Sequence, residues 1–94
     1  MYKTKRWERL RRAVLARDGY RCQESARYGK DKTATTVHHI FPRDDYPQYQ
    51  WDDWNLISLS AEMHNEMHDR NTGALTAKGR ELMQRTARKR NMKL

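Results

Sequence analysis

All four histidines of this chain sit in one stretch of it, His38 and His39 side by side and His64 and His68 four residues apart. Whatever fold the chain adopts has to place that cluster. Histidines four apart on a helix stack on one face, so His64 and His68 can present two imidazole nitrogens to one ion, or can simply belong to a half-exposed polar face. Successive strand residues point to opposite sides, so His38 and His39 can share a site only if the strand ends or distorts there, which Pro42 favours. Otherwise the dipeptide is an ordinary strand terminus.

The surrounding segments read as two strands and a helix. Residues 34–39 are rich in Thr and Val and predict a strand. A long loop follows, carrying Asp44, Asp45, Tyr46, Pro47, Tyr49, Trp51, Asp52, Asp53 and Trp54, and it leads into a second strand over 55–59. Ser60 is a good N-cap for a helix to about Arg70, with Met63 and Met67 on one face, and residues 71–73 break it. These make a ββα unit over about 34–70, within an α+β fold read as one small domain over 1–94. Before it, Thr4 can cap a basic helix over 4–18, because Trp7, Leu10 and Val14 recur at helical spacing and Gly19 is placed to end it. Residues 20–22 read as a short strand, followed by a polar loop through about Lys32. After the unit, Thr76 can cap a basic helix with Leu82 inward, running into a tail that together span 76–94.

Composition sets limits on function. A chain of 94 residues with 36% hydrophobic content buries a small core, for which a bound ion is a common support. Its single cysteine, Cys22, excludes an intramolecular disulfide and a cysteine-only zinc site, and fits a reducing compartment. No apolar run is long enough for a secretion signal or a membrane span, so the expectation is an intracellular protein with no membrane partner. The formal charge of +8 is uneven: net +7 over 1–30, −5 over 31–73 and +6 over 74–94. Basic flanks around an acidic middle suit a protein that grips phosphates at its edges and a cation at its centre. The arginines of the first helix, Arg6, Arg9, Arg11, Arg12 and Arg17, either contact a phosphate backbone or are solvated.

The string Val37-His38-His39-Ile40-Phe41-Pro42, then Trp54-Asn55-Leu56-Ile57-Ser58-Leu59, then His64-Asn65 with His68, resembles the signature of the HNH (ββα-metal) endonucleases. The spacing from Asn55 to His64 and His68 is similar to that of colicin-type nucleases, whereas residues 7–23 look like the small HNH proteins of tailed bacteriophages; the resemblance covers roughly residues 2–72. It implies a metal-dependent endonuclease that hydrolyses DNA phosphodiester bonds, by nicking or double-strand cutting, and leaves 5′ phosphate and 3′ hydroxyl ends. In that resemblance His39 is the general base, while His38, His64 and His68 hold one divalent ion: Mn, Ni, Co, Zn or Mg. Many relatives carry Asp where this chain has His38, which tilts preference toward softer transition ions. Asn55 ties the long loop together and so orients His39. Arg9, Arg12, Arg17 and Arg43 are the expected DNA contacts. Resemblance to phage proteins further implies the cytoplasm of an infected bacterium and, in genome packaging, terminase as a partner.

One departure from the pattern is plain in the sequence. Phage relatives usually frame the site with two Cys-x-x-Cys pairs that bind a structural zinc, whereas this chain has Cys22 with Ser25 and Ser60 with Met63. Two hydroxyls and a thioether are poor zinc ligands, so no structural zinc is expected. Two other classes compete with the enzyme: a non-catalytic, metal-containing DNA-binding or packaging accessory module, and a metal-stabilised domain that binds only protein.

Overall fold

The structure, a computed structural model, describes residues 4–94; residues 1–3, which the expected domain and the family resemblance partly include, lie outside the described residues. Thr4 starts helix α1 (Lys5–Arg17) by accepting the Trp7 amide on its hydroxyl at 3.1 Å, which satisfies a donor left over at the helix start. The helix buries Trp7, Val14 and Leu15 and stops where Gly19 takes a φ of 63°.

Two expectations for the next segment need correction. The strand read at 20–22 is a single bridge between Arg21 and Thr33, and inside the predicted polar loop lies a short helix, α2 (Gln23–Arg27). Its cause is a long-range ion cluster: the buried Glu24 carboxylate accepts from Arg27 at 3.2 Å and from Arg85 at 2.8 Å. A pairing across 61 residues leaves no local pattern in the sequence.

Strands β1 (Thr36–His39) and β2 (Leu56–Leu59) form a two-stranded antiparallel sheet in the register Thr36↔Leu59, Val37↔Ser58, His38↔Ile57 and His39↔Leu56. The two-residue strand period splits the core into two layers. On one face Val37 and Leu56 join Trp7, Val14 and Leu15 of α1; on the other, Leu59 joins Met63 and Met67 of α3 (Ala61–Met67) and Leu82 and Ala87 of α4 (Ala77–Lys89). Ser60 and Thr76 cap α3 and α4 through their hydroxyls, accepting from Met63 and Gly79. The 40–54 loop is anchored by Phe41, which is fully buried with Tyr46, Tyr49 and Trp54 set edge-on around it at centroid distances of 5.1, 5.6 and 5.7 Å. No helix among the described residues is long and apolar enough to cross a membrane.

The outer edge of β2 is closed by the end of α1. Asp18 accepts the Ser58 amide at 3.0 Å, and Arg17 donates to the Leu56 carbonyl at 2.7 Å, to the Asp53 carbonyl at 2.9 Å and to both Asp18 oxygens. Strand-edge groups that would otherwise be left for a neighbouring chain are thereby used. Burial opposes ionisation of Asp18, but hydrogen bonds from Arg17 and Ser58 outweigh it and hold the carboxyl below its ordinary value of 3.8. Its stabilisation is therefore complete above that value and is lost as pH falls through the lower, folded one. Asp18→Ala is expected to cost about 1–3 kcal/mol at neutral pH, by the loss of bonds to a charged group. Urea midpoints measured from pH 7 down to pH 2 should show the gap to wild type closing; a gap constant over that range would show that the carboxylate is not its source.

Candidate metal centre

His38 lies inside β1, opposite Ile57, with its side chain on the α3 side of the sheet, and it is 1% exposed. Neither of its ring nitrogens has a hydrogen-bond partner among the described residues. His64 comes from α3, and His68 from the residue just past its end. The three rings form a near-equilateral triangle, with centroids 5.3, 5.2 and 5.4 Å apart, and one nitrogen from each lies within 4.8 Å of the other two.

The expected helical i,i+4 pair is thus corrected in its means. α3 ends at Met67, and His68 is extended, at φ −127° and ψ 142°, in a bridge to Leu75. Its ring still meets His64, because the chain there is held by contacts with the start of α4 rather than by helix geometry.

Burial first, and then the neighbouring histidines His64, His68 and His39, push His38 from 6.5 down to about 3. Burial also lowers His64, with His68 acting the same way. His38 and His64 are therefore neutral near pH 7, the form that binds metal. A buried imidazole with both nitrogens orphaned costs on the order of 1–3 kcal/mol, and a divalent ion would satisfy one of them. Three imidazoles are a donor set suited to first-row transition ions, so these residues fit a single bound cation.

His39 occupies the last pair of the sheet, where the strand gives way to the loop at Ile40. Its half-buried ring stacks on Trp7 of α1 at 5.5 Å and 18°, and its Nε2 meets the Gln50 carbonyl at 3.1 Å. With Nε2–H donating there, the neutral ring carries its lone pair on Nδ1. Burial lowers the His39 pKa, the Gln50 carbonyl raises it, and the charge of Arg43 lowers it, with a net shift downward.

Asn55 is fully buried and ties the loop at both ends. Its Oδ1 accepts the Phe41 amide at 2.7 Å, while Nδ2 donates to the carbonyls of Phe41 at 3.1 Å and Tyr49 at 3.2 Å. The Tyr49 bond is adjacent to Gln50, so the amide fixes the carbonyl that meets His39. Cys22, Ser25, Ser60 and Met63, the four positions that the family resemblance singled out, also converge. Ser25 donates to the Cys22 sulfur at 3.1 Å, Ser60 hydrogen-bonds with the same thiol, and Met63 packs beside it. A buried polar knot and a thioether occupy that place.

The four arginines expected on DNA are placed differently from one another. Arg9 and Arg12 are exposed on α1, Arg43 is half-buried with a 3.4 Å contact to Asp44, and Arg17 is engaged at the β2 edge as described. Reading the sequence missed the Gln50 carbonyl and the Trp7 stack. Every residue has a carbonyl, so no side-chain pattern marks the one that is used. Arg6 of α1 has its guanidinium 4.0 Å over the Trp51 ring.

A hairpin and helix that bring three imidazoles to one point, beside a fourth on the strand end, define a nuclease of the ββα-metal class. A solved structure of an HNH endonuclease from the deep-sea thermophilic bacteriophage GVE2, with a manganese ion, is 41% identical to this chain. The match covers 68% of this chain and 70% of that one, with a TM-score of 0.66. No family model matches the chain, and neither does any curated protein. At this identity and coverage, the chain belongs to the HNH endonuclease family and is an enzyme of that class.

Removing the Asn55 amide takes away the bonds to the Phe41 amide and carbonyl and one of the two donors to the Tyr49 carbonyl, which keeps the Asp52 amide. Asn55→Ala is expected to lower stability by about 2–3 kcal/mol. Hydrogen exchange at the Phe41 amide should accelerate more than exchange in α4; equal acceleration everywhere would mean the amide has no particular hold on the loop.

Proposed function

We propose that this enzyme hydrolyses DNA phosphodiester bonds, by nicking or double-strand cutting, with one divalent ion held by His38, His64 and His68. The convergence of these three imidazoles, with both nitrogens of the buried His38 left unpaired, is the observation that carries the reading. Manganese in the bacteriophage GVE2 neighbour supports manganese as the first ion to test. When bound, the ion supplies positive charge that polarises the scissile phosphate and stabilises the departing 3′ oxygen.

The protein's own residues do the rest. Nδ1 of His39 takes a proton from the attacking water as the new P–O bond forms and the P–O3′ bond breaks. The Gln50 carbonyl, which accepts from Nε2–H, holds the ring in the tautomer with its lone pair on Nδ1 and favours the imidazolium once formed. Trp7 limits rotation of the ring, and Asn55 acts as a positioning residue by fixing the strand of loop that carries Gln50. Arg9, Arg12 and Arg43 contribute contacts to the DNA backbone, with Arg17 acting there mainly through the scaffold. A role beside terminase in genome packaging is proposed by analogy alone.

Supercoiled plasmid incubated with wild type, His39→Ala and His64→Ala across Mn²⁺, Ni²⁺, Co²⁺, Zn²⁺ and Mg²⁺ tests the assignment. His39→Ala should bind Mn²⁺ as wild type does and cleave about 10²–10⁴-fold more slowly, whereas His64→Ala should lose both. Wild-type cleavage by His39→Ala with every ion would sink the mechanism. DNA binding without strand breaks by the wild-type protein would favour the accessory-module reading. Exhaustive chelation should also lower the melting temperature, since an ion bound only by the folded state at 100 times its Kd adds about 2.7 kcal/mol.

A further inference from the structure

His68 belongs to no regular element: α3 has ended, and α4 begins nine residues later at Ala77. Yet its backbone is tied on every side. The Thr76 amide donates to the Met67 carbonyl at 2.9 Å, and the Thr76 hydroxyl to the Glu66 carbonyl at 2.6 Å. The Asp69 amide donates to the Ala74 carbonyl at 2.7 Å, and His68 bridges Leu75. The ring is tied as well, by a 3.1 Å contact between Nδ1 and the Gly73 carbonyl. A carbonyl can only accept, so Nδ1 carries the proton and the lone pair of the neutral ring sits on Nε2.

What allows α4 to come this close is Gly79. It is buried in the first turn of the helix, and a Cβ there would lie 2.6 Å from the Met67 carbonyl oxygen and 2.8 Å from Leu75 Cδ2. The first is a backbone atom, so a side chain at position 79 would force α4 and the end of α3 apart. The Met67 carbonyl is the one that Thr76 grips, directly before His68.

We propose that the 69–79 segment is a positioning device for the third metal-binding histidine, with Gly79 as its close-packed seat and the Gly73 carbonyl as the group that sets the His68 tautomer. The inference rests on the reading of His38, His64 and His68 as the metal site. It makes α4 part of the metal centre without contributing a ligand: Gly79 admits the approach, Thr76 fixes the turn, and Gly73 aims the ring.

Calorimetric titration of the metal-free full chain with Mn²⁺ tests this, using Gly79→Ala beside Leu82→Ala, which loosens α4 from the core further along. Gly79→Ala should weaken Mn²⁺ binding on the order of 10-fold or more, the size typical of lost support around a ligand. Leu82→Ala should lower the melting temperature while keeping the wild-type Kd. Wild-type affinity in Gly79→Ala, or an equal loss in both variants, overturns the proposal. His64→Ala separates the two readings, because if it binds Mn²⁺ as well as wild type, the metal site itself is misassigned. Imidazole ¹⁵N spectra of wild type give a readout that does not depend on a variant folding. A His68 ring protonated at Nδ1 supports the device, and one protonated at Nε2 overturns it.

Discussion

The register of one short hairpin governs the rest of this molecule. Four residue pairs fix which way each side chain of β1 and β2 points, and a one-residue slip would send every one of them to the other face. In the observed register Val37 and Leu56 complete the layer under α1, Leu59 completes the layer under α3 and α4, and His38 is carried into the second layer beside His64 and His68. His39, one residue on, turns to Trp7 at the point where the strand ends. That His38 joins the imidazole triad while His39 faces α1 is thus a consequence of the two-residue strand period.

That arrangement is costly before it is useful. It buries an imidazole with no hydrogen-bond partner among the described residues, in a chain with little apolar surface to offset the loss. Compensation comes from contacts around the site: the Asn55 amide, the Arg17–Asp18 closure of the β2 edge, the aromatic packing on Phe41 and the Cys22–Ser25–Ser60 knot. The knot joins the start of α2 to the start of α3 by hydrogen bonds and packing.

Much of this was legible along the chain. Thr4, Ser60 and Thr76 cap their helices as their side chains allow, because a cap depends on an amide three residues away. Both strands lie within the segments that composition marks. The features that escaped were those made by distant groups. α2 exists around the Glu24–Arg85 pair, Arg17 turns from the solvent to the carbonyls of Asp53 and Leu56, and His68 leaves the helix that its spacing suggested. In each case a contact across many residues overrode a local preference of a few tenths of a kcal/mol per residue.

By itself, the sequence determined the chemistry available to this protein: which side chains can hold an ion, which can take a proton, and roughly which elements carry them. Residue identity and spacing of up to four residues are local quantities, and the caps, strands and histidine pairs are written in them. Only the tertiary structure decided how the four histidines are used. The side of the sheet each one faces, the Gln50 and Gly73 carbonyls that meet His39 and His68, and the contact at Gly79 that lets α4 reach the end of α3 all depend on backbone atoms. Backbone atoms are the same at every position, so which of them meet can be settled only by packing.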